Sequence, residues 1–219
     1  MVTTYGVLWD MDGVLVDTGE LHFQSWVDTL KLYGYNFSHE FHTATFGMNN
    51  ASILNLVFGH KPQNELVVEI GNKKEEYFRK AIKGKARPMA GVRDWLEQLK
   101  EWGFRQAVAS SAPIANVLAV IEELKFIHFF DTMVSASNMP GKPDPAVFLE
   151  TARQIMVLPC NCVVIEDAIA GVAAAKKAGM KCIAVLTTNP ASALGEADVI
   201  TQRLNHLPVD TVRQILLSC

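Results

Sequence analysis

The rhythm of apolar positions changes twice along this chain. Tyr5-Gly6-Val7-Leu8-Trp9 is a continuous apolar run, and such a run ended by a turn residue predicts a short buried strand. Gly13 breaks it, so the chain turns where Asp10 and Asp12 stand. Leu21, Trp26, Val27 and Leu30 then recur at helical spacing up to Gly34. Asp17, followed three residues later by Glu20, is close to a capping box and predicts the start of that helix. Helical patterns continue over 51–58 and 65–82, with Gly47, Gly59, Pro62 and Gly71 as turn residues between or inside them. No alternating strand pattern falls between residues 21 and 86, so this stretch is expected to be a small all-helical unit inserted after the first strand.

Beyond the linker at 84–91, helices and strands alternate. Val92, Trp95, Leu96, Leu99 and Trp102 form one apolar helix face that stops at Gly103. Strands are expected at 104–109, 131–134, 162–165, 182–186 and 199–200, and helices at 114–126, 145–155 and 168–178. Repeated β-then-α units of this length imply an α/β fold whose parallel sheet carries helices on both faces.

Composition narrows the class without naming a function. With 219 residues, 49% hydrophobic and 20% charged, the chain suits one good-sized domain plus an insertion. A net charge of −3 gives no footprint for nucleic acid. No apolar run is long enough to span a membrane, and no basic stretch precedes an apolar leader. Cys160, Cys162, Cys182 and Cys219 are too few and too clustered for a disulfide framework, and Cys160-Asn161-Cys162 lacks a second pair for zinc, so a packing role is expected. A reduced, cytoplasmic monomer follows as the expectation. His39-Glu40-Phe41-His42 has the wrong spacing for a zinc-protease helix and is expected to be a solvated turn.

Polar groups stand at or next to several expected strand ends: Asp10 and Asp12, Ser110 beside Ser111, Lys142, and Glu166 with Asp167. In a parallel sheet all the carboxyl ends share one edge, so these groups can converge. Their types are complementary. Carboxylates are hard oxygen donors of the kind magnesium accepts, while a hydroxyl and an ammonium suit phosphate oxygens. A calcium loop at Asp10 is excluded, because Val14, Leu15 and Leu21 stand where it needs an acid, a Gly and a Glu.

In these motifs and their order the chain resembles the haloacid dehalogenase-like hydrolases, in the branch of β-phosphoglucomutase and small sugar-phosphate phosphatases. The stretch from Asp10 to Thr18 looks like the first motif of that family, Ser110 the second, Gly141-Lys142-Pro143 the third and Glu166-Asp167 the fourth. The resemblance implies a Rossmann-like core over 1–16 and 88–219 and a helical cap domain over 17–87 that closes over the substrate. It implies Asp10 as the nucleophile that forms an aspartyl-phosphate, and Asp12 as the general acid–base. Magnesium would be held by Asp10, the Asp12 carbonyl and Asp167, with Glu166 touching the ion or standing just behind its ligands. Lys142 and Ser110 would spread the charge of the transition state, with Ser111 as an alternative to Ser110. In the cap, Thr18 is similar to a hinge residue, His22 to one facing the active site, and Lys73 to a substrate lysine. The mutase carries an arginine for the far phosphate of a bisphosphorylated sugar, and Asn50 of Gly47-Met48-Asn49-Asn50 stands in its place. An amide cannot reproduce a charged bidentate clamp.

The expectation is therefore a magnesium-dependent phosphatase acting on a small phosphorylated metabolite, a sugar or polyol phosphate, with a hexose-phosphate mutase as the alternative. Haloacid dehalogenation would need neither Asp12 nor the fourth-motif acids, and phosphonate cleavage would want a buried cap lysine. A catalytically silent binding protein on the same fold is disfavoured by the intact acid set.

Overall fold

The structure is a computed structural model describing residues 3–46 and 48–217. Gly47 and Cys219, named above as a turn residue and as one of the four cysteines, lie outside the described residues. The chain divides into two compact units, Met1–Asp17 with Arg87–Cys219, and Thr18–Ala86. The expected boundaries at 16/17 and 87/88 differ from these by one residue at each junction.

The larger unit is built on a six-stranded, wholly parallel sheet in the order β3-β2-β1-β4-β5-β6. The strands are β1 (Gly6–Trp9), β2 (Arg105–Ser110), β3 (Thr132–Ser135), β4 (Cys162–Glu166), β5 (Lys181–Val185) and β6 (Val199–Thr201). Each residue of β1 and β4 is buried, which is why both read as unbroken apolar runs: helices cover a parallel sheet on both faces. Trp9 is tolerated there because its indole Nε1 donates to Gln106 Oε1 at 3.1 Å, and Gln106 Nε2 in turn donates to the Leu96 carbonyl at 2.9 Å. The helices of this unit are numbered after those of the inserted one: α5 (Val92–Glu101), α6 (Ile114–Leu124), α7 (Ala146–Gln154), α8 (Ile169–Lys177) and α9 (Thr211–Leu217). The face of α5 that the spacing marks is buried at Val92, Trp95, Leu96 and Leu99.

The sequence leaves β1 for β2 and β3 on one side, then returns to β4 on the other, so the strand order reverses between β1 and β4. The carboxyl end of an open α/β sheet at such a reversal is a crevice where ligands bind. Asp10 follows β1 directly, and Glu166 ends β4.

The smaller unit holds α1 (Gly19–Lys31), α2 (His39–Thr45), α3 (Asn50–Phe58) and α4 (Asn64–Ala81), packed on a core of its own from Phe23, Trp26, Leu30, Phe37, Ile53, Leu54 and Ile70. Two expectations fail here. Residues 39–42 are not a solvated turn: they open α2, which Ser38 caps by accepting the Phe41 amide at 3.1 Å. The His39 ring stacks on Phe23, and His42 Nε2 lies 3.0 Å from the Gly19 carbonyl. Gly71 lies inside α4, in the helix expected over 65–82. The helix that Asp17 was expected to cap starts at Gly19 with Thr18 at the cap position, and the Thr18 side chain makes no cap hydrogen bond.

Asp198 ties α8, β5 and β6 together. Its Oδ2 accepts from the Cys182 amide at 2.8 Å and from Lys176 Nζ at 2.6 Å. Burial alone would raise its pKa, but these hydrogen bonds and the nearby Lys176 and Lys181 charges hold it below the ordinary carboxylate value. A depressed folded-state pKa contributes stability above the unfolded value of about 3.9 and loses it as pH falls through the folded one. Asp198→Ala is expected to cost about 1–3 kcal/mol at neutral pH, because the Cys182 amide loses its partner. Urea titrations should show the gap from wild type narrowing below about pH 4; a gap unchanged by acid would contradict the assignment.

Candidate active site

The turn after β1 is closed by its own backbone. Asp10 extends the ladder by donating its amide to the Ile165 carbonyl at 3.0 Å. The Met11 carbonyl accepts the amides of Val14, Leu15 and Val16, and the Gly13 amide donates to the Val16 carbonyl at 2.8 Å. Gly13 adopts φ +81°, which favours glycine. A Cβ there would also press into the Asp167 carboxylate, within 2.8 Å of its Cγ. The turn can therefore bring Asp10 and Asp167 together only with glycine at position 13.

Asp10, Glu166 and Asp167 are buried and offer oxygen atoms that all lie within 4.8 Å of one another. Lys142 bridges two of them, its Nζ 2.5 Å from both Asp10 Oδ1 and Glu166 Oε1, with the side chain only 8% exposed. The ammonium also lies over the ring of Phe148 in α7, 4.9 Å from the centroid. The second oxygen of Glu166 accepts the amides of Asp167 and Ala168, each at 2.9 Å. Gly171 in α8 leaves room for this carboxylate, because a Cβ there would coincide with it. Ser110 ends β2 fully buried, and its Oγ accepts the Ala112 amide at 3.1 Å. It does not cap α6, whose cap position is Pro113. Asp12 is half-buried and close enough to Asp167 to add to its pKa.

Electrostatics define what this cluster accepts. Burial, reinforced by Glu166 and Asp167 and opposed by Lys142, raises the Asp10 pKa well above the carboxylate range. Burial and then Glu166 push Asp167 up to about 7. Burial works against the charge on Lys142, yet Asp10 and Glu166 more than offset it and raise its pKa. Three buried carboxylates beside one ammonium resist ionising together, and a bound cation would favour their anionic forms. The donors are all oxygen, with neither Cys nor His among them, which suits a hard ion such as magnesium. Both Glu166 oxygens already have donors, whereas Asp10 and Asp167 each keep an oxygen that accepts none of the hydrogen bonds described above.

Sequence reasoning missed two features. Thr188, in the loop after β5, donates its hydroxyl to Asp167 Oδ2, and Asn189 Nδ2 donates to the Asp167 carbonyl at 3.0 Å. In the helical unit the buried lysine is Lys74, with a side chain 4% exposed, while Lys73 is 40% exposed and pairs loosely with Glu76 at 3.5 Å. Lys74 Nζ lies 2.8 Å from His22 Nδ1 and 3.0 and 3.1 Å from the two oxygens of Glu75; Asn50 Nδ2 donates to Glu75 Oε1 at 2.9 Å. Thr18, His22, Asn50 and Lys73 all belong to this unit. Of the cysteines, Cys162 and Cys182 are buried as a packing role requires, but Cys160 is exposed.

Fold and site together define an α/β protein with an acidic, cation-seeking centre at the reversal point of its sheet. Residues 7–185 match the haloacid dehalogenase-like hydrolase family, to which the chain belongs. A phosphorylated carbohydrates phosphatase of Thermotoga maritima is 30% identical over 197 residues, covering 89% of this chain and 91% of the relative. A β-phosphoglucomutase of Bacillus subtilis is 30% identical over 217 residues, covering 95% and 93%. The crystal structure of a β-phosphoglucomutase from Clostridium difficile has a TM-score of 0.88 over 99% of this chain and 98% of that one; at 24% identity this is likeness of fold.

Gly171→Ala tests the packing that seats Glu166. An exposed Gly-to-Ala change within a helix stabilises by about 0.5–1 kcal/mol, so an overlap with Glu166 should reverse the sign. The variant is expected to unfold at lower urea concentration than wild type. Its phosphatase turnover should fall about 100-fold, the scale of an ångström displacement in a site. A more stable, fully active variant would show that the carboxylate does not depend on this glycine.

Proposed function

We propose that the chain is a magnesium-dependent phosphatase of a small phosphorylated metabolite, a sugar or polyol phosphate, working through an aspartyl-phosphate on Asp10. The observation that carries this reading is the meeting of Asp10, Glu166 and Asp167 around Lys142 at the switch point of the sheet. Asp10 and Asp167 would hold the ion together with the carbonyl of Asp12, and Glu166 would stand behind them, occupied by Lys142 and the two amides. When bound, magnesium supplies positive charge that lowers the repulsion between an anionic carboxylate and an anionic phosphate.

The steps belong to the side chains. An Asp10 oxygen forms a bond to phosphorus as the bond to the ester oxygen breaks, and Asp12 gives that oxygen its proton. Lys142 and Ser110 donate to the phosphoryl oxygens, and the Ser110 hydroxyl, already an acceptor for Ala112, keeps its proton for this. Water then attacks the phosphorus as the bond from Asp10 oxygen to phosphorus breaks, and yields its proton to Asp12. Inorganic phosphate leaves, and both aspartates return to their starting state.

The two relatives at 30% identity, a carbohydrate phosphatase and a mutase, do not separate hydrolysis from isomerisation. What favours hydrolysis is Asn50, an amide that donates to Glu75, together with the pairing of buried Lys74 to the same carboxylate. A mutase must grip a second phosphate, and a hydrogen bond to a charged group contributes about 1.5–3 kcal/mol, so loss of an arginine clamp weakens that grip about tenfold or more. Water needs no clamp.

Asp10→Asn is expected to reduce turnover at least about 1,000-fold while circular dichroism stays unchanged; a variant near the wild-type rate, with deamidation excluded, removes Asp10 as nucleophile. With β-glucose 1-phosphate and a bisphosphate primer, free phosphate should form faster than glucose 6-phosphate, the two being measured in one reaction. Glucose 6-phosphate forming many times faster would replace the phosphatase reading with the mutase.

A further inference from the structure

One constraint on Asp167 comes from outside the stretch that matches the family, which ends at residue 185. The loop after β5 starts by donating the Leu186 amide to the Thr201 carbonyl at 3.0 Å, which anchors it to β6. β5 pairs with β4 in register, Ala184 opposite Glu166, so the loop leaves the sheet beside the residue that follows Glu166. Thr188 Oγ1 then donates to Asp167 Oδ2 and lies 3.4 Å from the Asp167 carbonyl, where Asn189 Nδ2 also donates at 3.0 Å. On another side, the same oxygen borders the space that Gly13 leaves open. One carboxylate oxygen is thus fixed by a hydroxyl and by steric contact, and the main chain beneath it by an amide.

We infer that Thr188 is a positioning residue for the ion-binding carboxylate: its hydroxyl fixes the Asp167 rotamer so that the other oxygen faces the cation, with Asn189 steadying the backbone at that point. This rests on the proposed reading that Asp167 binds the ion. The physical case is one of pre-organisation. Asp167 shares a buried site with Asp10 and Glu166, whose charges repel it, and an unrestrained carboxylate would turn away from them. A hydroxyl donating to the anionic form opposes that rotation. Hydrogen-bond partners of metal ligands typically change metal affinity 10–100-fold when removed.

The test reads metal affinity directly. Mn2+ serves as the probe, with the free ion quantified by electron paramagnetic resonance in titrations of wild type, Thr188→Val, Thr188→Ser and Asp167→Asn. Thr188→Val keeps the shape of the side chain and removes the donor, and should raise the Mn2+ dissociation constant at least about 10-fold. Thr188→Ser restores the hydroxyl and should remain within about threefold of wild type, well inside the 10-fold change that loss of a ligand's partner brings. In turnover, the valine variant should need correspondingly more magnesium for half-maximal rate and recover most of its kcat at saturation, which a general packing defect would not do. Wild-type Mn2+ affinity in Thr188→Val overturns the inference. Wild-type affinity in Asp167→Asn overturns instead the reading of Asp167 as an ion ligand. A misfolded valine variant, seen by circular dichroism, transfers the decision to Thr188→Ala on the same titration.

Discussion

The organisation of this protein depends on keeping three carboxylates together in a space where they repel one another. Asp10, Glu166 and Asp167 are buried, and one ammonium, Lys142, is shared between two of them. Burial penalises the charges of Asp10 and Asp167, and the neighbouring acids add to the penalty, so the arrangement depends on the separate contacts that fix each carboxylate. Glu166 takes two amides at the approach to α8, Asp167 takes a hydroxyl, and Asp10 follows a ladder hydrogen bond to β4. The result is a fixed cluster of carboxylates whose oxygen atoms lie close enough together to hold one metal ion.

The sheet makes this possible by topology. β1 pairs with β2 on one side and β4 on the other, so residues distant in sequence end their strands side by side. Two glycines then remove the remaining obstacles: at Gly13 and at Gly171 a Cβ would occupy space that Asp167 and Glu166 need. The inserted unit has a separate core, so the catalytic edge and the helical unit are stabilised by different sets of apolar contacts. The chain passes between them where Val16 pairs with Pro88, the entering and leaving segments side by side in one isolated bridge.

Much of this was legible because burial leaves a pattern. Strands covered on both faces read as unbroken apolar runs, and acids placed directly after such runs mark the carboxyl edge. The placing of Asp10, Glu166 and Asp167 at that edge followed from this reasoning, while the choice of Ser110 over Ser111 did not. What escaped depends on contacts rather than pattern. α2 is seven residues long, too short for periodicity, and draws on a Ser38 cap and on packing of His39 and His42. Thr187-Thr188-Asn189 reads as any polar loop until β5 brings it beside Asp167, 21 residues earlier. Lys73 and Lys74 differ by one residue, or about 100° around α4, and only packing against Trp26 and Phe78 shows which is buried.

That one-residue difference bears on what the helical unit offers a ligand. An ammonium has three protons, and Lys74 Nζ sits within hydrogen-bond distance of three acceptors: His22 Nδ1 and both oxygens of Glu75. Its charge is matched by a buried carboxylate that also accepts from Asn50. Drawing the lysine toward an outside anion would break a buried ion pair, a change that costs about 3–5 kcal/mol. An arginine at position 50 would compete with Lys74 for that carboxylate, whereas the amide satisfies it and adds no charge. Lys73 is placed differently: it is more exposed, 3.5 Å from Glu76 and 5.3 Å from the centre of the Tyr77 ring, so moving it costs little. Of these two neighbouring lysines, Lys74 is therefore locked internally and Lys73 is loosely held.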